Sequence, residues 1–315
     1  MAFNESKYTF MPDNSYFDRR MANGEKLSDI FDSVDWRSRS YSEDTKRPVT
    51  VRIGKKYNYV ANNFILFDNW FVLAEDFGEY EDYTFAYRRF DENGIREGGV
   101  LIKRNGTYVS REEFLDIVYG THIGCGKYAI VKQYNGLLNI IDVTKGVKAE
   151  KIGIKADGIT YASQNFIDSG IFIIATGNIK RINDLDWTGV GEWNIAETVK
   201  TKKLKCNLYS INGGILSPAI WFDYIQSFQN IGYKMYPHTK VHLEGKVNLI
   251  NQQGRLLSDI WFDEIGLNSE GEGEAVILKS PNLKDLPDLD DRFYYNPNKY
   301  KIYKIDKMGT IHNFV

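Results

Sequence analysis

Apolar residues come in short runs bounded by glycine or asparagine, and the spacing of those runs organises the chain. Ala275-Val276-Ile277-Leu278, Ile171-Phe172-Ile173-Ile174 and Ala129-Ile130-Val131 are too short for amphipathic helices and rich in β-branched residues, which predicts strands. Between such runs, Asn93-Gly94, Asn105-Gly106, Asn212-Gly213 and Gln252-Gln253-Gly254 predict hairpin-type turns, because Gly and Asn enter the left-handed region at low cost. Helical periodicity is weak except around Glu25 to Phe31. The pattern predicts an all-β chain.

The runs repeat. Asn207-Leu208-Tyr209-Ser210, Gly213 and Trp221-Phe222-Asp223-Tyr224-Ile225 match Asn248-Leu249-Ile250-Asn251, Gly254 and Trp261-Phe262-Asp263-Glu264-Ile265 at an offset of 41 residues. Weaker copies surround Asn58, Asn105-Gly106 with Phe114-Leu115-Asp116-Ile117, and Asn139. Ile302-Tyr303-Lys304-Ile305-Asp306 with Gly309 reads as an opening half-unit. Five units and a fragment result, with an insertion at 178–203 and an N-terminal segment, 1–47, that matches none of them. The repeat domain is therefore expected to span 48–315. A period of about 40 residues suits one blade of a β-propeller, so a propeller-like ring of short antiparallel strands is expected. An open β-solenoid stack is the alternative. The C-terminal half-unit favours the ring, since a terminal fragment could complete the first blade.

Gly245-Lys246-Val247-Asn248-Leu249-Ile250, Gly254 and Trp261-Phe262-Asp263-Glu264-Ile265 resemble the WG-repeat (KWG-type) proteins of bacteria and their phages. The likeness runs from about Gly54 to Lys279. Asn58, Asn139, Asn207 and Asn248 stand where that family has its namesake glycine. The resemblance implies a β-repeat scaffold without catalytic residues, with a phage particle component as one variant.

Composition narrows the function classes. Lys+Arg 40 against Asp+Glu 42 gives a net charge of -2 over 315 residues, which argues against a strongly basic nucleic-acid binder. No 18-residue apolar run marks a membrane helix, and Met1 to Phe10 lacks the pattern of a secretory signal. A cytoplasmic location is expected, or a virion if the chain is phage-encoded. Cys125 and Cys206 are the only cysteines and read as reduced structural residues.

Candidate chemistry is sparse. His238 and His242 are four apart, but on a strand that spacing separates them by about 13 Å, so no metal is expected. Asp184 with Asp186, and Cys125 beside His122, lack the further ligands or orienting groups that calcium or nucleophilic catalysis requires. No phosphate loop or dinucleotide fingerprint is present, so neither a cofactor nor an enzymatic activity is expected.

The recurring Trp221-Phe222-Asp223 and Trp261-Phe262-Asp263 read as repeat core. The tryptophans should be largely buried and the carboxylates bonded to turn N–H groups. Gly213 and Gly254 should both have positive φ. Tyr8, Phe10, Tyr16, Phe17 and Trp36 give the N-terminal segment more aromatic anchors than a spacer carries. They are the expected contacts to a protein partner or a second copy of the chain, or else the anchors of a cap over an open edge strand of the chain's own repeats. The alternative is a carbohydrate-binding module using exposed members of the 21 Tyr, 18 Phe and 6 Trp.

Overall fold

Glu244 and Gly245 have φ of 51° and 77°, the paired left-handed geometry whose twist matches antiparallel strands. They join two six-residue strands of unbroken register, from His238↔Asn251 to Leu243↔Lys246. Such hairpins build the protein. The computed structural model describes residues 19–34, 46, 48–75, 77, 82–94, 97–110, 112–117, 126–145, 151–156, 158–163, 167–176, 205–231, 234–284 and 295–313. Among the described residues it is all-β, with one short α-helix and several small antiparallel sheets, none closed on itself.

The chain divides into two compact units, Met1–Asp116 with Lys145–Ala149, and Ile117–Thr144 with Glu150–Val315. In the first, helix α1 (Leu27–Ile30) leads into a sheet of β1 (Ser33–Val34), β2 (Val49–Ile53), β3 (Lys56–Ala61) and β4 (Phe64–Ile65), in that order. The next sheet is β5 (Leu73–Ala74), β6 (Tyr83–Tyr87) and β7 (Gly99–Lys103). The division between units falls inside β8 (Asp116–Ile117).

In the second unit β9 (Tyr128–Lys132), β10 (Leu138–Asp142) and β11 (Lys151–Ala156) pair in sequence. They are followed by β12 (Gly158–Tyr161), β13 (Ile171–Thr176), β14 (Lys205–Ser210) and β15 (Gly214–Ile215). A third sheet combines β16 (Tyr224–Ile225) with β19 (His238–Leu243) and β20 (Lys246–Asn251), and a two-stranded ribbon, β17 (Asn230–Ile231) with β18 (Lys234–Met235), lies between them in sequence. The last sheet is β21 (Glu264–Leu267), β22 (Gly273–Leu278), β23 (Tyr300–Ile305) and β24 (Ile311–Asn313).

Cores form between consecutive sheets within a unit. Cys206 and Leu208 of β14 pack with Phe222, Val241 and Ile250; Val247 and Leu249 pack with Phe262, Ala275 and Tyr303. A strand covered on both sides has no polar face. β6 is accordingly buried at all five positions, and its sequence, Tyr-Thr-Phe-Ala-Tyr, is a continuous run rather than an alternating one.

Two expectations are revised. The boundary at residue 47 falls inside a sheet, because Ser33 and Val34 pair with Arg52 and Val51. The segment 1–47 therefore includes a repeat element, Phe31-Asp32-Ser33-Val34, which escapes notice where the preceding residues lack the tryptophan of the later copies. The C-terminal half-unit belongs to the last sheet, where β23 pairs with β22 over six residues. The first sheet draws its outer strand from its own N-terminal side instead. The insertion at 178–203 lies outside the described residues, and Thr176 and Lys205 on either side of it face each other across β13 and β14.

Candidate functional site

The recurring aromatic residue is the point where the chain leaves one sheet for the next. After β20 the backbone returns at Phe262 to exchange two hydrogen bonds with Val247, Val247 N to Phe262 O and Phe262 N to Val247 O, both 2.9 Å. Phe222 does the same with Cys206 at 2.7 and 2.9 Å, Phe71 with Tyr57 at 2.8 and 2.9 Å, and Phe114 with Gly99 at 2.9 Å each way. Phe71, Phe222 and Phe262 have no solvent exposure, and burying each ring contributes roughly 1.5–3 kcal/mol.

The aspartate that follows starts the next sheet. Asp263 N–H donates to Val276 O at 2.8 Å, Asp223 N–H to His242 O at 2.8 Å, and Asp32 N–H to Arg52 O at 2.9 Å. Their carboxylates accept from backbone: Asp32 from Gly54 N–H at 2.5 Å, Asp223 from Glu244 N–H at 2.6 Å and Asp263 from Leu278 N–H at 2.8 Å. Lys246 Nζ also donates to Asp263 at 2.5 Å, and Lys205 pairs with Asp223 in the same way. Burial works to raise both carboxyl groups, but the lysine and backbone bonds outweigh it and hold them below the ordinary range.

The tryptophans are less buried than the phenylalanines that follow them. Trp221 and Trp261 are half-buried, because each precedes a residue locked into the inter-sheet core and so points the opposite way. Trp261 lies on the core containing Phe222, with ring centroids 6.4 Å apart. Trp221 lies on the core of Ile130, Leu138 and Phe172. The fully buried ring belongs to phenylalanine.

Four buried asparagines complete the link. Asn248 Nδ2 donates to Ser258 O at 2.8 Å and Ile260 O at 3.1 Å, and its Oδ1 accepts from Leu249 N–H at 2.7 Å. Asn207 Nδ2 reaches Ser217 O and Ile220 O at 2.8 and 2.9 Å, and Asn58 Nδ2 reaches Phe67 O at 2.7 Å. Asn139 shows the local part of the pattern, accepting from Ile140 N–H at 2.8 Å. The asparagine pins the loop that carries the aromatic residue back to its sheet. The period marks these positions in the sequence; their acceptors, about ten residues downstream and all main-chain, leave no signal there.

Gly254 has φ of 78°, as expected, but Gly213 does not. The left-handed residue in that turn is Gly214, at φ 72°, since a second glycine lets the turn close one residue later. A Cβ at Gly254 would lie 2.5 Å from Leu216 Cβ, so this turn seats against the preceding repeat.

Among the described residues the remaining candidates do not assemble a reactive centre. Tyr8, Phe10, Tyr16, Phe17 and Trp36 lie outside the described residues, as do Cys125, His122, Asp184 and Asp186. His238 and His242 both lie on β19. Burial, with Asp223 adding to it, pushes the Cys206 thiol up to about 12, which keeps it protonated and unreactive. Among the described residues no group of three or more His, Cys, Asp or Glu could hold a metal ion. No helix there is long and apolar enough to cross a membrane. Large apolar side chains are exposed at Phe64, Ile65, Phe90, Tyr134 and Ile215, with Phe64 reaching 60%.

No family model and no curated protein matches the chain. Among solved structures it is similar to Kluyveromyces lactis Hsv2, at 9% identity over 74% of this chain and 68% of that one, with a TM-score of 0.29. A structure of BBS1N in complex with ARL6DN gives 12% identity over 84% and 73%, with a TM-score of 0.26. A eukaryotic initiation factor gives 8% over 86% of both chains, at 0.20. Likenesses of that order carry no argument about fold or function.

Proposed function

We propose that the chain is a non-enzymatic β-repeat scaffold of WG-repeat type that binds a protein partner or a second copy of itself. Its N-terminal aromatics, Tyr8, Phe10, Tyr16, Phe17 and Trp36, form the contact, and its sheets follow one another in a propeller-like ring. The supporting observation is the use made of the recurring residues. Phe222, Phe262, Asp223, Asp263, Asn207 and Asn248 all bond within the scaffold, so the repetition serves architecture and leaves binding to non-repeating segments. The setting is the cytoplasm, or a virion if the chain is phage-encoded.

Removal of residues 2–18 tests this without touching β1. The shortened protein is expected to melt at the same temperature as the full chain and to lose its self-association in sedimentation, or its co-purifying partner. Unchanged association would refute the assignment to Tyr8, Phe10, Tyr16 and Phe17. Retention of the full chain on a glycan array through exposed aromatics such as Phe64 and Tyr134 would favour carbohydrate binding instead. Small-angle scattering separates a closed ring from an open stack by its maximum dimension.

A further inference from the structure

His238 heads β19 and is only 3% exposed, yet it is held by very little. Its Nε2 lies 3.2 Å from Gly271 O, and its Nδ1 has no hydrogen-bond partner. A ring nitrogen facing a carbonyl carries the proton, so Nε2 donates and Nδ1 is a buried acceptor without a donor. On the Nδ1 side sits Gly309, at φ 83°, where a Cβ would come within 2.8 Å of that nitrogen. The imidazole is thus clamped between two turns. Asn268 Oδ1 closes the β21–β22 turn by accepting from Glu270 N–H and Glu272 N–H at 2.8 and 3.1 Å. Asp306 Oδ1 closes the β23–β24 turn by accepting from Met308 N–H and Thr310 N–H, each at 2.9 Å. Tyr236 flanks the imidazole at 6.1 Å between centroids and donates its hydroxyl to Ser269 O.

We propose that His238 is a pH-responsive pin: neutral, it holds both turns on the head of β19, and protonation at Nδ1 releases them. The added N–H would lie on the Gly309 side with no acceptor among the described residues, placing an unsatisfied charge in a buried site. Burial lowers the pKa of the imidazole, and the Gly271 carbonyl and the Asp306 charge oppose that lowering without cancelling it.

The other titratable groups on the elements packed here are Lys240 and His242 on its own strand, Glu270 and Glu272 on the first turn, and Asp306 and Lys307 on the second. Glu270 pairs with Lys307 across the two turns. Asp306, held at about 2 chiefly by the Thr310 N–H, stays ionised between pH 4 and 7. His312 lies outside the clamp, exposed, 3.4 Å from Asp306.

Because the folded pKa lies below the ordinary value of about 6.5, the opened state binds more protons as pH falls, and opening becomes easier below that point. Amide exchange at Gly271 and Gly309, each bonded back across its turn at 3.1 and 2.9 Å, reads this directly. Between pH 7.5 and 5.5 their protection factors are expected to fall by up to about tenfold, while Gly136 and Gly254 in other turns keep theirs. His312→Gln should leave the effect in place and His238→Gln should abolish it. A ring titration of His238 by NMR in the unaltered protein gives a check that needs no variant. A midpoint at or above about 6.5, or protection at Gly271 and Gly309 that does not change with pH, would overturn the proposal.

Discussion

Asn248 does with one side chain what a longer turn would otherwise do. It ties Ser258 O and Ile260 O to β20 from a position with no solvent exposure. Asn248→Ala strands both carbonyls and is expected to cost about 2–4 kcal/mol. Asn248→Gly should cost at least as much, because it loses the same bonds and gains backbone freedom. Urea midpoints measure both. Gly254→Val meets Leu216 and a left-handed φ together, so a loss above about 2 kcal/mol is expected. Gly213→Val, at ordinary φ with Leu216 Cδ2 at 3.5 Å, should cost less. Phe262→Ala should cost about 3–5 kcal/mol, more than Trp261→Ala, since the phenylalanine is the ring inside the core. Residue spacing made all these positions visible in the sequence. Their roles depend on which way a ring turns and which main-chain group accepts, and neither repeats as a letter.

At the scale of elements, the sheets are cut out of phase with the sequence units. The sheets that begin with β1, β5, β8, β16 and β21 each open with the strand that follows an aromatic residue, so there the last strand of one sequence unit is the first of the next sheet. β16 follows Phe222 yet pairs with β19 through Tyr224↔His242 and Ile225↔Val241, and β1 follows Phe31 and pairs with β2 in the same way. That offset explains the two boundary errors in the sequence reading. The N-terminal copy, Phe31-Asp32, hides in a stretch of mixed charge, and the C-terminal half-unit is the closing pair of strands of the last sheet. Strand existence was legible where a central strand is buried along most of its length, as β6 and β7 are, because that burial gives compact apolar runs. Two chain truncations distinguish the phases. Removing residues 2–18 should leave the melting temperature unchanged, whereas removing 2–34 takes away Leu27, Phe31 and Val34 from the core they share with Val51 and Val60. The longer deletion should lower the melting temperature by several degrees or more. Asp32→Ala, which frees Gly54 N–H at an exposed turn, should be milder, near 1 kcal/mol.

At the scale of the whole molecule, acid should act in two stages. Asp223, Asp263 and Asp306 all have folded pKa values below their ordinary ones, so the stability they supply is present above about pH 4 and is lost as pH falls through the folded values. His238 has its pKa lowered as a base, so its contribution fades earlier, as pH falls below about 6.5. A plot of urea midpoint against pH should therefore show a shallow decline above pH 4 that His238→Gln removes, then a steeper one that it does not. One device recurs: an aromatic residue, Phe71, Phe114, Phe222 or Phe262, returns to pair with the sheet the chain is leaving, and at Asp223 and Asp263 an aspartate then opens the next. Amide hydrogen exchange at Phe71, Phe114, Phe222 and Phe262 examines that device in four places at once. Because each N–H is bonded to the sheet it leaves, all four should be protected as strongly as the central strands β6, β14 and β20. Exchange at these four amides as fast as in the exposed turns around Gly94 and Gly136 would contradict it.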